Sequence, residues 1–394
     1  MPRRSLSLAV ALTVLWVGPT AAADFPSCLA NIKQAALRAG VSQAVVGQAF
    51  ATVQPDEKVL LASQIQPEFK TPIWDYLGFL VDERRINDGR AMLAEHDAVL
   101  RAAEQTYGVD RHVITAVWGV ESDYGRSAGK NYLPQALSTL ACLGERRRDF
   151  WRGELIAALE LVSQGDLQLT ELYGSWAGAF GQTQFIPSSY RRLAVDFDGD
   201  GRRDLVNSIP DALGSTANYL KRAGWRTGRP WLIEVSVPKG YKGPSGRKAK
   251  ESISAWAKRG IRRADGAALT GSGNAGLLLP AGPTGPAFLV FKNFDAIYSY
   301  NAAESYALAI SHLADRIAGY PAFRTPWPTD DLGLSRDERL ELQKLLLAKG
   351  YDVGEADGKI GPRSRAAIAE AEKALGWAPT GRAGRKIYEA LKGN

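Results

Sequence analysis

Trp118-Gly119-Val120-Glu121-Ser122-Asp123-Tyr124-Gly125 sets one carboxylate at the end of an amphipathic helix, just before a turn. Going backwards, Ile114, Val117 and Trp118 fall at helical spacing from Glu121, so the acid lies on or beside the apolar stripe, not on the wet face. A carboxyl held against apolar groups is hard to ionise, and its pKa rises. A general acid for glycosidic-bond cleavage near neutral pH needs that property. On the helix alone, a buried glutamate paired with an arginine fits as well.

The chain has 394 residues, enough for two or three domains. With 45% hydrophobic and 23% charged residues, it has the composition of a globular protein that buries real cores. Its start is different. Arg3 and Arg4 precede an apolar run from Leu6 to Val17, and Ala21-Ala22-Ala23 offers a small-residue cleavage site. Residues 1–23 read as a secretory signal peptide, too short and too near the cleavage site for a membrane span. Cys28 follows Phe25-Pro26-Ser27, a poor setting for lipid attachment, so a soluble exported protein of the periplasm is expected.

Cys28 and Cys142 are the only cysteines. In an oxidising compartment an even count points to one disulfide, the alternative being two free buried thiols. Two cysteines and the scattered His96, His112 and His312 leave little for a zinc site. Removing the leader deletes Arg3 and Arg4 and no acid, which lowers the net charge from +7 to +5. A basic balance suits a polyanionic partner without choosing one. No concentrated Lys/Arg run is interleaved with aromatics, which argues against nucleic acid.

From Phe25 to about Gly228 the pattern is mostly helical, with expected helices over Cys28–Ala39, Asp88–Tyr107, Arg111–Ser122, Arg148–Ser163 and Ile209–Ala223. Between about 229 and 292 glycine and proline become frequent. Leu232–Val237 and Ala287–Phe291 read there as strands of a small β-containing insertion. Helix returns at Glu304–Ile317. Pro326 and Pro328 mark a linker over 326–334, and a compact module of three short helices follows over 335–394. Ser335-Arg336-Asp337-Glu338 is a capping box opening its first helix.

Other stretches carry chemistry. Gly174 to Tyr190 combines small residues, which admit close approach, with Gln182 and Gln184, whose amides suit sugar hydroxyls and acetamido groups. Trp176 and Phe185 offer flat faces for sugar rings, and Ser175 lies beside them. The alternative is a glycine-rich segment used only for packing. Arg146-Arg147 could bind carboxylates or orient Glu121, or be a solvated charge run. Tyr298-Ser299-Tyr300-Asn301, then Ser305-Tyr306-Ala307, could supply hydroxyl and amide contacts from a returning helix.

Together, Val120–Gly125, Arg146-Arg147, Gly174–Ser189 and Tyr300-Asn301 resemble the lytic murein transglycosylase B family, glycoside hydrolase family 103, over roughly Phe25 to Phe323. The last module resembles the peptidoglycan-binding domain 1 family through Leu342-Gln343, Gly350-Tyr351, Asp357–Gly361 and Ala366-Ala367-Ile368. The resemblance implies a mainly α (α+β) protein: a lysozyme-like catalytic domain over 24–325 with a small β subdomain, plus the three-helix module. It implies Glu121 as the single acid then base. Substrate contacts would come from Ser122, Tyr124, Arg146, Arg147, Ser175, Gln182, Gln184, Phe185, Tyr300 and Asn301. The bond cut would be the β-1,4 link between N-acetylmuramic acid and N-acetylglucosamine, leaving a 1,6-anhydromuramoyl end. Ordinary glycosidases flank the bond with two carboxylates, whereas Asp123 would point to nearly the opposite side of the helix from Glu121. Rival readings are a hydrolytic muramidase and a non-catalytic wall-binding protein. The tail module is expected to raise local concentration on insoluble peptidoglycan, so that its loss spares activity on short soluble fragments. No partner beyond the wall polymer is named by the sequence.

Asp196-Phe197-Asp198-Gly199-Asp200-Gly201-Arg202-Arg203-Asp204 matches the opening of an EF-hand loop. Asp196, Asp198, Asp200, the Arg202 carbonyl and Asn207 would be the ligands of a structural Ca²⁺, with Asn207 standing where a bidentate glutamate is usual. The alternative is an Asp/Gly turn without metal. No cofactor is required by this reading.

Overall fold

A computed structural model describes residues 25–64 and 71–393; the signal-peptide expectation for residues 1–23 lies outside them. The helix Arg111–Ser122 runs through the main core. Asp110 caps its start by accepting from the His112 N–H at 2.8 Å, and Val113 to Gly119 are all buried. Its apolar faces pack on the helix Glu304–Ile317, which is buried from Tyr306 to Ala314. The continuous helix expected over Asp88–Tyr107 is two helices, Glu83–Glu95 and Asp97–Tyr107, broken at His96 (φ −107°, ψ 25°). The apolar period runs through the break, so the pattern did not reveal it. No described helix is long and apolar enough to cross a membrane.

A second core joins the helices Phe25–Arg38, Leu133–Leu143 and Arg148–Ser163. Cys28 and Cys142 form a disulfide that ties the first of these to the second, with Cα atoms 5.8 Å apart. The thiol of Cys28 is therefore committed to a crosslink. Two short strands, β1 (Asn131–Tyr132) and β2 (Tyr173–Gly174), pair antiparallel and bring the glycine-rich stretch beside the loop that follows Glu121. A Cβ on Gly129 would lie 2.1 Å from the Gly174 carbonyl carbon, so this crossing needs glycine.

The insertion is a five-stranded antiparallel sheet of β3 (Leu232–Ser236), β4 (Lys250–Ser252), β5 (Arg262–Arg263), β6 (Asn274–Leu278) and β7 (Ala287–Val290), in the order β4-β6-β7-β3-β5. The period of two in β7 serves two cores. Phe288 and Val290 enter the main core, while Ala287 and Leu289 pack with Ile253 and Trp256 of the short helix Ile253–Lys258. Half of β7 thus holds the sheet on the helical domain.

The tail module is three helices, Arg336–Ala348, Pro362–Ala374 and Arg385–Lys392, around Leu342, Leu346, Ile368, Ile387 and Leu391. The capping box between Ser335 and Glu338 is formed. The segment 326–334 is no free spacer. Leu334 is fully buried in the module core, and the Leu332 carbonyl accepts from the Arg385 N–H at 2.9 Å. The module packs on the helix Ile73–Leu80: a Cβ on Gly333 would meet the Asp75 Cα at 2.6 Å, and Arg382 donates to both Asp75 carboxylate oxygens at 2.8 and 2.6 Å. Asp75 is itself buried, so this ion pair is largely withdrawn from solvent screening.

Candidate active site

Glu121 sits in the last turn of its helix, which Asp123 closes in the left-handed conformation (φ 53°, ψ 48°), its N–H donating to the Gly119 carbonyl and the Tyr124 N–H to the Trp118 carbonyl. Tyr124 (φ 59°) and Gly125 (φ 83°) continue the turn. Left-handed backbone at two non-glycine residues in a row costs of order 1 kcal/mol each and persists only where the surroundings hold it. Here they do. The Tyr124 ring meets Trp118 edge-on at 5.7 Å, and its hydroxyl donates to the Arg85 carbonyl at 2.8 Å.

Glu121 is half-buried, with its carboxyl turned into the protein. The Tyr306 hydroxyl donates to Oε1 at 2.5 Å. Burial pushes the carboxyl up from 4.5 to about 7, against the lowering effect of that hydrogen bond. The partner is a phenol and not the arginine of the alternative reading, because Tyr306 rises from the facing helix Glu304–Ile317 at the level of the last turn. Tyr300 stacks near-parallel to Tyr306 with ring centres 6.4 Å apart, and Tyr219 lies 4.6 Å from Tyr300. Burial holds the Tyr306 and Tyr300 hydroxyls well above their usual pKa, with the charge of Glu121 adding to the effect. These phenols stay neutral donors. Asp123 does not join Glu121: its carboxylate is held by Arg336 and Arg126 and lies 3.8 Å from Arg85 Nε.

The glutamine stretch wraps this centre. Gln182 accepts from Trp118 Nε1 at 3.0 Å and donates to the Val206 carbonyl at 3.1 Å, so both ends of its amide brace the loop. Gln184 (φ 52°) donates to the Ala128 and Gly181 carbonyls, both at 2.9 Å. Tyr300 donates to the Thr183 carbonyl at 2.7 Å. Ser122 donates to the Gln182 carbonyl at 2.5 Å and accepts from the Gly125 N–H at 2.8 Å.

Three expected substrate contacts need correcting. Ser122, Tyr124 and Phe185 are 1%, 5% and 2% exposed, which leaves them no face for a sugar. Phe185 packs between Tyr219 and Tyr300. They are struts of the site, because an apolar ring or a satisfied hydroxyl gains more from the core than from water. Ser175 is half-buried and bonds within its own turn to Ala179. Asn301 is exposed at the turn before the Tyr306 helix. Arg146 and Arg147 are exposed; the Arg147 guanidinium lies 3.8 Å over Phe150, and Trp151 follows at 6.4 Å from Trp176. A cleft of about 940 Å³ is lined by Thr71–Trp74, Pro280, Ala281, Thr284, Tyr298 and the Ala302–Ser305 turn; Glu121 is not among its walls. Sequence reasoning offered Tyr306 only as part of a stretch that could supply hydroxyl contacts, and passed over Tyr219. Only the fold brings Tyr306 to Glu121, across 185 residues.

The acidic loop also differs from expectation. Among the described residues, Asp196 and Asp198 gather with Asp211, with carboxylate oxygens within 4.8 Å of one another; Asp200 stands outside the group. The Asn207 amide nitrogen donates to Glu171 at 2.7 Å and Asp204 at 3.1 Å. Asp211 is fully buried and accepts from the Phe197, Asp198 and Asp204 N–H groups at 2.6, 3.3 and 2.7 Å. It lies past the end of a twelve-residue loop, where the motif does not look.

A glutamate at a helix end, its carboxyl pushed up by burial and faced by a tyrosine, on a helical core with a small antiparallel sheet, is the layout of a lysozyme-like domain. The chain belongs to the transglycosylase SLT domain family, whose model matches residues 24–315; the putative peptidoglycan binding domain matches residues 335–391. It is similar to membrane-bound lytic murein transglycosylase B of Escherichia coli (strain K12), 35% identical over 237 residues, 59% of this chain and 64% of that protein. The chain thus spans under two thirds of that relative's length. It is also similar to SltB3 from Pseudomonas aeruginosa, solved in complex with NAG-anhNAM-pentapeptide and with NAG-NAM-pentapeptide: 42% identity, 93% of this chain, 99% of that one, TM-score 0.75. The Escherichia coli lytic transglycosylase Slt35, solved in complex with calcium, matches at 30% identity over 74% of this chain and 93% of its own, TM-score 0.66.

Proposed function

We propose that this chain is a lytic transglycosylase that cuts the β-1,4 bond between N-acetylmuramic acid and N-acetylglucosamine in peptidoglycan, and that Glu121 is its acid and then its base. The carrying observation is the Glu121 carboxyl, raised to about 7 with Tyr306 as its hydrogen-bond donor. The proton on Glu121 goes to the leaving glycosidic oxygen, and the bond to the muramoyl anomeric carbon breaks. The substrate's 2-acetamido group stabilises that carbon. The carboxylate left behind is steadied by the Tyr306 hydroxyl and takes the proton of the muramoyl C6 hydroxyl as its oxygen closes the 1,6-anhydro ring. No water is consumed, and Glu121 ends protonated. One acid suffices because the substrate carries its own nucleophile, whereas Asp123 is engaged by arginines.

Arg146, Arg147, Ser175, Gln182, Gln184, Tyr300 and Asn301 are the remaining candidates for saccharide and peptide contacts. The tail module supplies wall affinity, and the positively charged mature chain suits an anionic polymer. Export to the periplasm follows from the leader read in residues 1–23. Mass spectrometry of a peptidoglycan digest tests the reaction: anhydromuramoyl ends are expected, and ends heavier by one water would make the enzyme a muramidase instead.

We propose in addition that the acidic loop holds Ca²⁺ through Asp196, Asp198 and Asp211, with Asp211 replacing the expected terminal ligand. The donor set fits: hard oxygen ligands, one of them buried, gathered at one point. The ion would pin the loop to the helix Ile209–Arg222, which carries Asp211 and Tyr219.

A further inference from the structure

We infer that Arg336 of the tail module is a positioning residue for Glu121, so that the module completes the active site as well as anchoring it. This rests on the transglycosylase reading above. Arg336 opens the first helix of the module, and its guanidinium spans two carboxylates of the catalytic domain. Its Nε donates to Asp82 Oδ2 at 2.9 Å, one terminal nitrogen lies 3.3 Å from Asp82 Oδ1, and the other donates to Asp123 Oδ1. Its backbone N–H also faces Asp82 at 3.4 Å.

Both carboxylates sit at helix ends. Asp82 caps the helix Glu83–Glu95 by accepting from the Arg85 N–H at 2.7 Å. Asp123 closes the helix that carries Glu121, two residues earlier. Arg336 therefore pins the last turn of the Glu121 helix to the start of its neighbour. A planar fork does this; a single ammonium group reaches one carboxylate at a time. The bridge lies out of water, the Arg336 and Asp82 side chains being 14% and 4% exposed.

The surrounding groups leave no equivalent replacement. Arg85 lies 3.8 Å from Asp123, but its terminal nitrogen is spent on the Phe79 and Leu80 carbonyls, and its buried Nε makes no hydrogen bond. Arg126 is half-exposed and divides itself between Asp88 and Asp123. Without Arg336, Asp123 would rest on these two in a turn whose left-handed backbone needs support. A shift of about 1 Å in a catalytic group can cost about a hundredfold in rate.

The test uses the full-length protein and a soluble, uncrosslinked chain of alternating N-acetylglucosamine and N-acetylmuramic acid, with release of anhydro ends as readout. Wild-type release is the control on the transglycosylase reading: without it that reading fails, and the variants are then read by their effect on the Glu121 pKa. R336A is expected to lower kcat about tenfold or more with KM and sacculus binding near wild type, and R336K to recover part of the loss. D123N keeps a residue that tolerates the left-handed turn and should lower kcat similarly, with the double variant no worse than either single one. R382A loosens the module at Asp75 without touching Asp123 and should leave kcat within about twofold of wild type. Unchanged kcat in R336A overturns the inference, as do additive losses in the double variant or an equal loss in R382A. If R336A does not fold, R336K and D123N decide by the same criteria.

Discussion

Glutamine at position 121 separates the electrostatics of the site from its chemistry. In the fold the carboxyl titrates at about 7, against 4.5 for an ordinary exposed one. Between those values the unfolded chain has lost the proton and the folded chain still holds it. Folding therefore binds a proton there, and stability falls as pH rises from 4.5 towards 7, levelling off above. At about 1.36 kcal/mol per pH unit, the cost reaches about 3 kcal/mol at pH ~8. E121Q keeps the side-chain volume and an acceptor for Tyr306 but cannot ionise, so it escapes this cost. For a domain of ~300 residues, 1 kcal/mol moves Tm by about 1.6 °C. Paired melting curves should agree near pH ~4 and separate to about 5 °C near pH ~8, E121Q melting higher while releasing no anhydro ends. A constant offset across the whole range would refute the reasoning, since Glu121 would then ionise like a surface acid and hold no proton to give.

Other expectations concern single contacts. Y306F removes the donor that favours the ionised form of Glu121, so the basic limb of the kcat/KM profile should move up by about one to two pH units, from a hydrogen bond to a charged group worth about 1.5–3 kcal/mol; a stationary limb would deny Tyr306 that role. The Cys28–Cys142 bridge closes a separation of 114 residues. Its reduction, or the double serine variant, should cost about 2–5 kcal/mol in a urea titration, with little change in kcat once folded. Millimolar Ca²⁺ should raise Tm over a chelator-treated sample, and D198N should abolish the difference; equal melting with and without the ion would leave the loop as a turn held by its own hydrogen bonds.

Much of this was legible in one sequence, and the limits have physical causes. Helix Arg111–Ser122 was readable because its apolar face is a local pattern. So was the first helix of the module, through Ser335 and Glu338. Strands β3 and β7 showed in short branched and aromatic runs bounded by glycine and proline. The break at His96 stayed hidden because hydrophobic periodicity records which side is wet, not whether the axis bends. Phe185 and Tyr124 looked like binding residues because an aromatic ring reads alike whether it faces a sugar or a core. Tyr306, Asp211 and Arg336 act through partners far along the chain, where no spacing rule reaches. Arg336 was visible only as part of a capping box, and its guanidinium turned out to do something unrelated to that cap.

The glycine contact between Gly333 and the backbone at Asp75 has a practical consequence for protein engineering. Enzymes of this kind invite module exchange, in which a foreign carbohydrate-binding unit is fused after the lytic domain. Such a graft would arrive with side chains where this seam tolerates only hydrogen, and without the guanidinium that neutralises the two acids beneath it. A transplant that keeps the native residues from Asp331 to Arg339 should stay active, whereas one joined upstream of them would yield a chimera that clings to cell walls and cuts them poorly.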